Sequence, residues 1–137
     1  DRPADIISLC LGVNVMGAGS LSPRTFREAA IGFIKTIRDG KPYRPIALMS
    51  PIYAEAFESQ ANTQQMTLPI MRQMLRETVE VLTRHGDQKL IYIDGLDILG
   101  QNDRVLMSDG VHPTPEGYAL MAKRYGELVI PRLLDML

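Results

Sequence analysis

The chain has one cysteine, only two histidines and no surplus of either charge, and each scarcity removes a class of function. A single thiol, Cys10, cannot close an internal disulfide, so cysteine usage permits a reducing compartment without requiring one. Cys10 lies in the apolar run 6–11 and reads as a small core residue. Fifteen Lys and Arg are interspersed with sixteen acids, for a net charge of −1. Without a basic stripe, a nucleic-acid partner is not expected. No apolar run approaches the length of a bilayer-spanning helix. Repeats, low-complexity tracts and evident linkers are absent too. What is present is ordinary for a globular domain: 137 residues, 45% apolar and 23% charged, enough to bury a core.

Strand and helix patterns alternate three times. Residues 6–11 form a continuous apolar run closed by Gly12, as expected of a strand buried on both faces. Ser22-Pro23 reads as an N-cap and first helical position. Phe26, Ala29, Ala30, Phe33, Ile34 and Ile37 follow at helical spacing up to Gly40. Residues 46–49 predict a second strand ending at Ser50-Pro51. The polar stretch 55–65 reads as a loop or frayed helix start. Leu68, Met71, Leu75, Val79 and Leu82 then trace a helical face that Gly86 closes, with Pro69 confined to its first turn. A third strand, 90–93, precedes Asp94-Gly95 and a long loop. Thr114-Pro115 opens a final helix whose stripe is Tyr118, Met121, Ala122, Tyr125 and Leu128, with Pro131 kinking or ending it. This alternation predicts an α/β fold with a parallel sheet covered by helices on both faces. Three strands are few, and the first would expose an apolar edge. Further strands, from an N-terminal segment or another chain, are therefore expected beside it, and association through that edge follows.

Ligands of open parallel sheets bind beyond the carboxyl ends of the strands. Gly12-Val13-Asn14, Ser50-Pro51 and Asp94-Gly95 should converge there, and the loop carrying Asp109 and His112 can reach the same rim. Asp109 and His112 stand three apart in a Gly- and Pro-containing turn. A carboxylate there can bond one imidazole nitrogen and leave the other as a proton acceptor, the arrangement of a general base. The alternative is an Asp that caps the turn beside a solvated His. Asp94 with Asp109 and His112 leaves a metal-dependent phosphohydrolase open as well. His85, in the last turn of a helix, reads as a surface residue.

The run Asp109-Gly110-Val111-His112-Pro113-Thr114-Pro115-Glu116-Gly117-Tyr118 resembles the last sequence block of the SGNH/GDSL hydrolases. Gly12-Val13-Asn14 resembles their third block. The two stand in the family's order, and the resemblance runs from about Ala4 to the final helix. It implies a flavodoxin-like three-layer fold of SGNH-hydrolase type, of which residues 1–137 would be the C-terminal portion of a single domain. It also implies a serine esterase or acylhydrolase acting on a small acyl ester, with no metal or organic cofactor. Asn14 would be an oxyanion-hole donor, His112 the general base and then acid, and Asp109 its orienting partner.

Two departures accompany the resemblance. Val15 stands where the family often has Asp, and neither the Gly-Asp-Ser-type block with the nucleophile nor the second block, whose glycine contributes another oxyanion donor, occurs in the chain. Only eleven residues precede Gly12, so both blocks are expected upstream, and the isolated chain is expected to be inactive. Of the serines present, Ser8 lies within a strand, Ser20 in a flexible loop and Ser22 at a helix cap. Ser50 is placed where it can line the pocket, and Ser108 supports the Asp109 turn. A non-catalytic binding or assembly module built on the same fold is the alternative function.

Overall fold

A computed structural model describes residues 3–137. Three four-residue strands, β1 (Ile7–Cys10), β2 (Ile46–Met49) and β3 (Leu90–Ile93), form a parallel sheet in the order β1-β2-β3. Ile7 stands level with Ile46, and Ile46 with Leu90. The helices are α1 (Val13–Ala18), α2 (Phe26–Gly40), α3 (Glu55–Ser59), α4 (Leu68–Arg84), α5 (Gly95–Ile98), α6 (Pro115–Leu128) and α7 (Ile130–Leu134). None of them is long and apolar enough to cross a membrane.

The strand pleat sends alternate side chains to opposite faces, so each face of β2 meets its own helical layer. Ile46 and Leu48, with Leu90, pack under α2 (Phe26, Ala30, Ile34) and α4 (Leu68, Met71, Leu75, Val79). Ala47, Met49 and Ile93 pack under Ile98, Val129 and Leu133 from α5 and the α6–α7 region. Full burial of a side chain such as Ile34 contributes about 1.5–3 kcal/mol. Both layers are therefore held chiefly by apolar contact with the central strand.

Local signals account for most of the helix ends. Thr67 caps α4 by accepting the Ile70 N–H, with Pro69 in the first turn, and Gly86 follows the helix at φ 101°. Pro131 does not kink one long helix: α6 stops at Leu128, and Pro131 sits in the first turn of α7, where its missing N–H costs nothing.

Several expectations change. Helix α2 starts at Phe26, because Ser22 and Thr25 tie off a separate turn in which the Ser22 N–H donates to Thr25 Oγ1 and the Phe26 N–H to the Ser22 carbonyl. Stretch 55–65 contains α3, and the expected loop after β3 contains α5 and a 3-10 turn, Gln101–Leu106. Strand β1 is not buried on both faces. Ile7 and Leu9 pack on the α2/α4 side, whereas Ser8 and Cys10 are exposed on the other. The reason is lateral: the α6/α7 layer centres on β2 and β3 and leaves β1 at the sheet's edge among the described residues. For the same reason the α6 stripe is only half-used. Met121 and Tyr125 pack on the core, while Tyr118, 55% exposed, and Leu128 do not. Phe33 of α2 is likewise exposed.

Candidate active site

The carboxyl ends of all three strands are pressed together. Gly12 adopts φ 123°, and a Cβ there would lie 2.6 Å from Pro51 Cγ. A Cβ on Gly95 would run into the backbone oxygens of Ser50 and Pro51. Only glycine lets the three segments meet this closely. Ser50 is fully buried between them, its Oγ accepting from the Tyr92 hydroxyl at 2.9 Å and the Gly95 N–H at 3.1 Å. The expectation that Ser50 lines the pocket is thus corrected: its hydroxyl fastens the end of β2 to the end of β3.

After the 3-10 turn the chain forms a hairpin-like loop, 107–114. Both the backbone N–H and the Oγ of Ser108 donate to the His112 carbonyl, at 2.8 and 2.9 Å, and the Thr114 N–H donates to the Leu106 carbonyl at 2.7 Å. Gly110 supplies the left-handed residue at φ 81°. Asp109 Oδ1 accepts the N–H groups of Val111 (2.9 Å) and His112 (2.7 Å), and Oδ2 lies 2.7 Å from His112 Nδ1. Thr114 caps α6 by accepting the Gly117 N–H, with Pro115 as first helical residue. Gly117 lets that first turn lie against the loop base, since a Cβ would stand 2.8 Å from the Leu106 oxygen and 2.9 Å from Pro113 Cβ.

The His112 backbone N–H, then its side chain, then the Val111 N–H hold the Asp109 carboxyl well below the usual carboxylate range. Asp109 is therefore an anion at neutral pH and can only accept, so Nδ1 carries the proton. Neutral His112 then has its Nε2 lone pair free to take one. Both side chains are open to solvent, His112 71% and Asp109 57% exposed.

Asn14 lies in the first turn of α1, directly after the Gly12 bend. It lines a cavity of about 520 Å³ together with Asp109 and His112. Pro51 and Ile52 after β2, Phe57 of α3, Val111 of the loop, and Tyr118 and Met121 of α6 form its apolar wall. Cys10 also borders it, and burial among these groups raises its thiol pKa even though part of the residue is exposed. Among the described residues, neither the Asn14 amide nor His112 Nε2 has a hydrogen-bond partner, the imidazole being bonded through Nδ1 alone. Val15 packs against the core, an apolar task that explains how the position tolerates Val.

Other candidates fall elsewhere. No serine borders this cavity: Ser8 bonds the Tyr125 hydroxyl, Ser108 Oγ is committed to the His112 carbonyl, and Ser20 and Ser22 lie away from it. Asp94 caps α5, pairs with Arg76 at 3.0 Å and borders a different cavity with Asp97. It therefore does not join Asp109 and His112, and no cluster of three metal-ligating side chains forms among the described residues. His85 caps the end of α4, its Nδ1 2.8 Å from the Val81 carbonyl.

Sequence reasoning passed over Arg72. This α4 residue is buried, and its guanidinium reaches the backbone of the cavity wall and the carboxylate of Glu58. The available signal was its register: four residues after Leu68 and three before Leu75, Arg72 falls on the buried face of α4, where a charge requires a partner.

A family model described as GDSL-like Lipase/Acylhydrolase matches residues 1–125, and the chain belongs to that family. The fold is similar to the structure titled Salicylyl-Acyltransferase SsfX3 from a Tetracycline Biosynthetic Pathway, with 28% identity and a TM-score of 0.81 over 96% of this chain and 40% of that one. It is similar to a candidate GDSL-like lipase from Bacteroides ovatus, with 24% identity and a TM-score of 0.77 over 98% of this chain and 37% of that one. It also resembles a family 3 carbohydrate esterase from Talaromyces cellulolyticus, with 16% identity and a TM-score of 0.70 over 96% and 59% of the two chains. The chain thus spans about two fifths of the length of the first two. No curated protein matches it.

Proposed function

We propose that the chain is the C-terminal portion of a serine ester hydrolase domain and carries the general base with its partner and one oxyanion donor, but neither the nucleophile nor the glycine that contributes another oxyanion donor. The observation that supports this most directly is the shared cavity: Asn14 and the Asp109-bonded His112 line one wall-to-wall space, each with a free polar group. In the reaction, His112 Nε2 takes the proton from a serine hydroxyl as its oxygen attacks the ester carbonyl. Asn14 donates its amide to the oxyanion. Imidazolium His112 then protonates the departing alcohol, leaving an acyl-enzyme, and a water molecule activated by the same nitrogen releases the acid. Asp109 fixes the tautomer and balances the positive charge of the imidazolium.

The serine comes from residues outside 1–137, on a strand that pairs with the open edge of β1. A small apolar acyl ester suits the wall of Ile52, Phe57, Val111 and Met121. Because one similar structure is titled an acyltransferase, an alcohol could replace water as acceptor.

The test is esterase activity of the full-length protein and its His112→Ala variant on p-nitrophenyl acetate, with and without an added acceptor alcohol. We expect turnover in the parent, a loss of about 10⁴-fold or more in the variant with folding unchanged, and no appreciable turnover by residues 1–137 alone. A variant that keeps its turnover removes His112 from the mechanism. A fluorophosphonate label on any serine within 1–137 would overturn the placement of the nucleophile.

A further inference from the structure

Among the described residues, Arg72 is the one charged side chain in the cavity's surroundings that is almost wholly buried, 7% exposed, yet it does not border the cavity. A buried guanidinium is costly unless its donors are satisfied. Here Nε donates to the Pro51 carbonyl at 2.8 Å and Nη2 to the Ile52 carbonyl at 3.0 Å. Nη1 and Nη2 also grip Glu58 Oε2 and Oε1, at 2.8 and 2.6 Å. Glu58 in turn accepts the Ala54 N–H, at the cap of α3. One side chain from α4 therefore holds three things: the carbonyls of two wall residues and the short helix that carries a third, Phe57.

The grip extends to Asn14. Pro51 abuts Gly12 so closely that a single added carbon would collide with it, and Gly12 is the bend from which α1 and Asn14 depart. Close-packed contacts of this kind transmit displacements rather than absorb them.

We infer that Arg72 is a positioning residue of the candidate site. Acting through Pro51, Ile52 and Glu58, it sets the apolar wall and the approach of Asn14. The inference rests on the functional reading above for its purpose, but its geometric content is testable without turnover.

A matched control exists at the other end of the sheet. Arg38 makes a comparable clamp, gripping both oxygens of Asp87 at 2.8 Å and donating to the carbonyls of Lys41, Arg44 and Lys89, remote from the cavity. We would titrate the full-length protein with N-phenylbutanamide, an uncharged ester mimic whose amide bond resists hydrolysis, following backbone amide shifts. Arg72→Lys, Glu58→Gln and Arg38→Lys would be compared with the parent, alongside their melting temperatures.

The parent should show shifts at Ile52, Phe57 and Val111. Arg72→Lys should weaken binding about tenfold, and Glu58→Gln by less, as expected when a remote change misplaces a site by a fraction of an ångström. Arg38→Lys should lower the melting temperature comparably without changing affinity. Equal weakening by the Arg38 and Arg72 variants reduces Arg72 to a general stabiliser and overturns the inference. So does unchanged binding in Arg72→Lys, or absence of binding in the parent. Where Arg72→Lys does not fold, Glu58→Gln decides, and unchanged affinity there overturns it too. In the full-length enzyme the Arg72 effect should fall on KM and kcat together. An inactive full-length protein whose chain still shows the binding pattern would sink the hydrolase reading and leave the positioning role intact.

Discussion

The two sides of the candidate cavity are held in opposite ways. The loop 107–114 is fastened almost entirely by itself: Asp109 to Val111 and His112, Ser108 to His112, Thr114 to Gly117. Facing it, the Pro51–Ile52 segment gets little from its neighbours in sequence. Its bonds come from Arg72, some twenty residues on, and its contacts from Gly12 and Gly95 at the ends of two other strands. The first side carries its geometry with it, while the second is a consequence of assembly. The general base of the proposed mechanism sits on the local side, and the oxyanion donor leans on the assembled one.

The largest separation between the two sides should come from Arg72→Met. It leaves Glu58 and two backbone carbonyls without their donor, and breaking a buried pair in this way costs about 3–5 kcal/mol. Denaturant unfolding should register that loss, whereas Asp109→Asn, in an exposed loop, should leave the midpoint almost unmoved; equal losses would erase the contrast. Next in size is Asn14→Ala in the full-length enzyme. Removing one oxyanion donor should lower kcat by about 10²–10³ with the melting curve preserved, because the amide is exposed and bonds no described residue. A normal kcat would take Asn14 out of the proposed site. Smaller again, Thr114→Ala removes the α6 cap and should cost about 1 kcal/mol, measured as a shifted unfolding midpoint with activity largely kept. A collapse of the whole fold would mean that the loop also depends on distant contacts.

The slightest effect concerns pH. The folded Asp109 carboxyl has a lowered pKa, so the loop stabilisation it provides is fully present above the unfolded value of about 3.9 and is lost only as pH falls through the lower folded one. The carboxyl carbon resonance of Asp109 should therefore keep its ionised form down to about pH 4 and change to the protonated form only below it. A midpoint at or above the unfolded value would show that the hydrogen bonds to Asp109 are not maintained in solution.

The strands and long helices were legible because apolar periodicity is local. Ile46–Met49 is an unbroken apolar run and is buried throughout, and the stripe of α4 faces the core as its spacing predicts. The same logic failed at Cys10 and Tyr118, whose residue types are core-like but whose burial depends on where the α6/α7 layer lands on the sheet. Ser50 misled in the opposite sense: its position after β2 suggested a pocket, but bonds to Tyr92 and Gly95, more than forty residues away, draw it inward.

What the amino-acid order determined on its own was therefore the α/β alternation and the internal geometry of the Asp109 and His112 turn, because every bond involved spans only a few residues. Only the tertiary structure decided that Asn14 and His112 border one cavity, that Ser50 is withdrawn from it and that Arg72 braces its wall. Those relations join segments tens of residues apart, and their distances are fixed by how helices pack on a shared sheet rather than by any spacing along the chain.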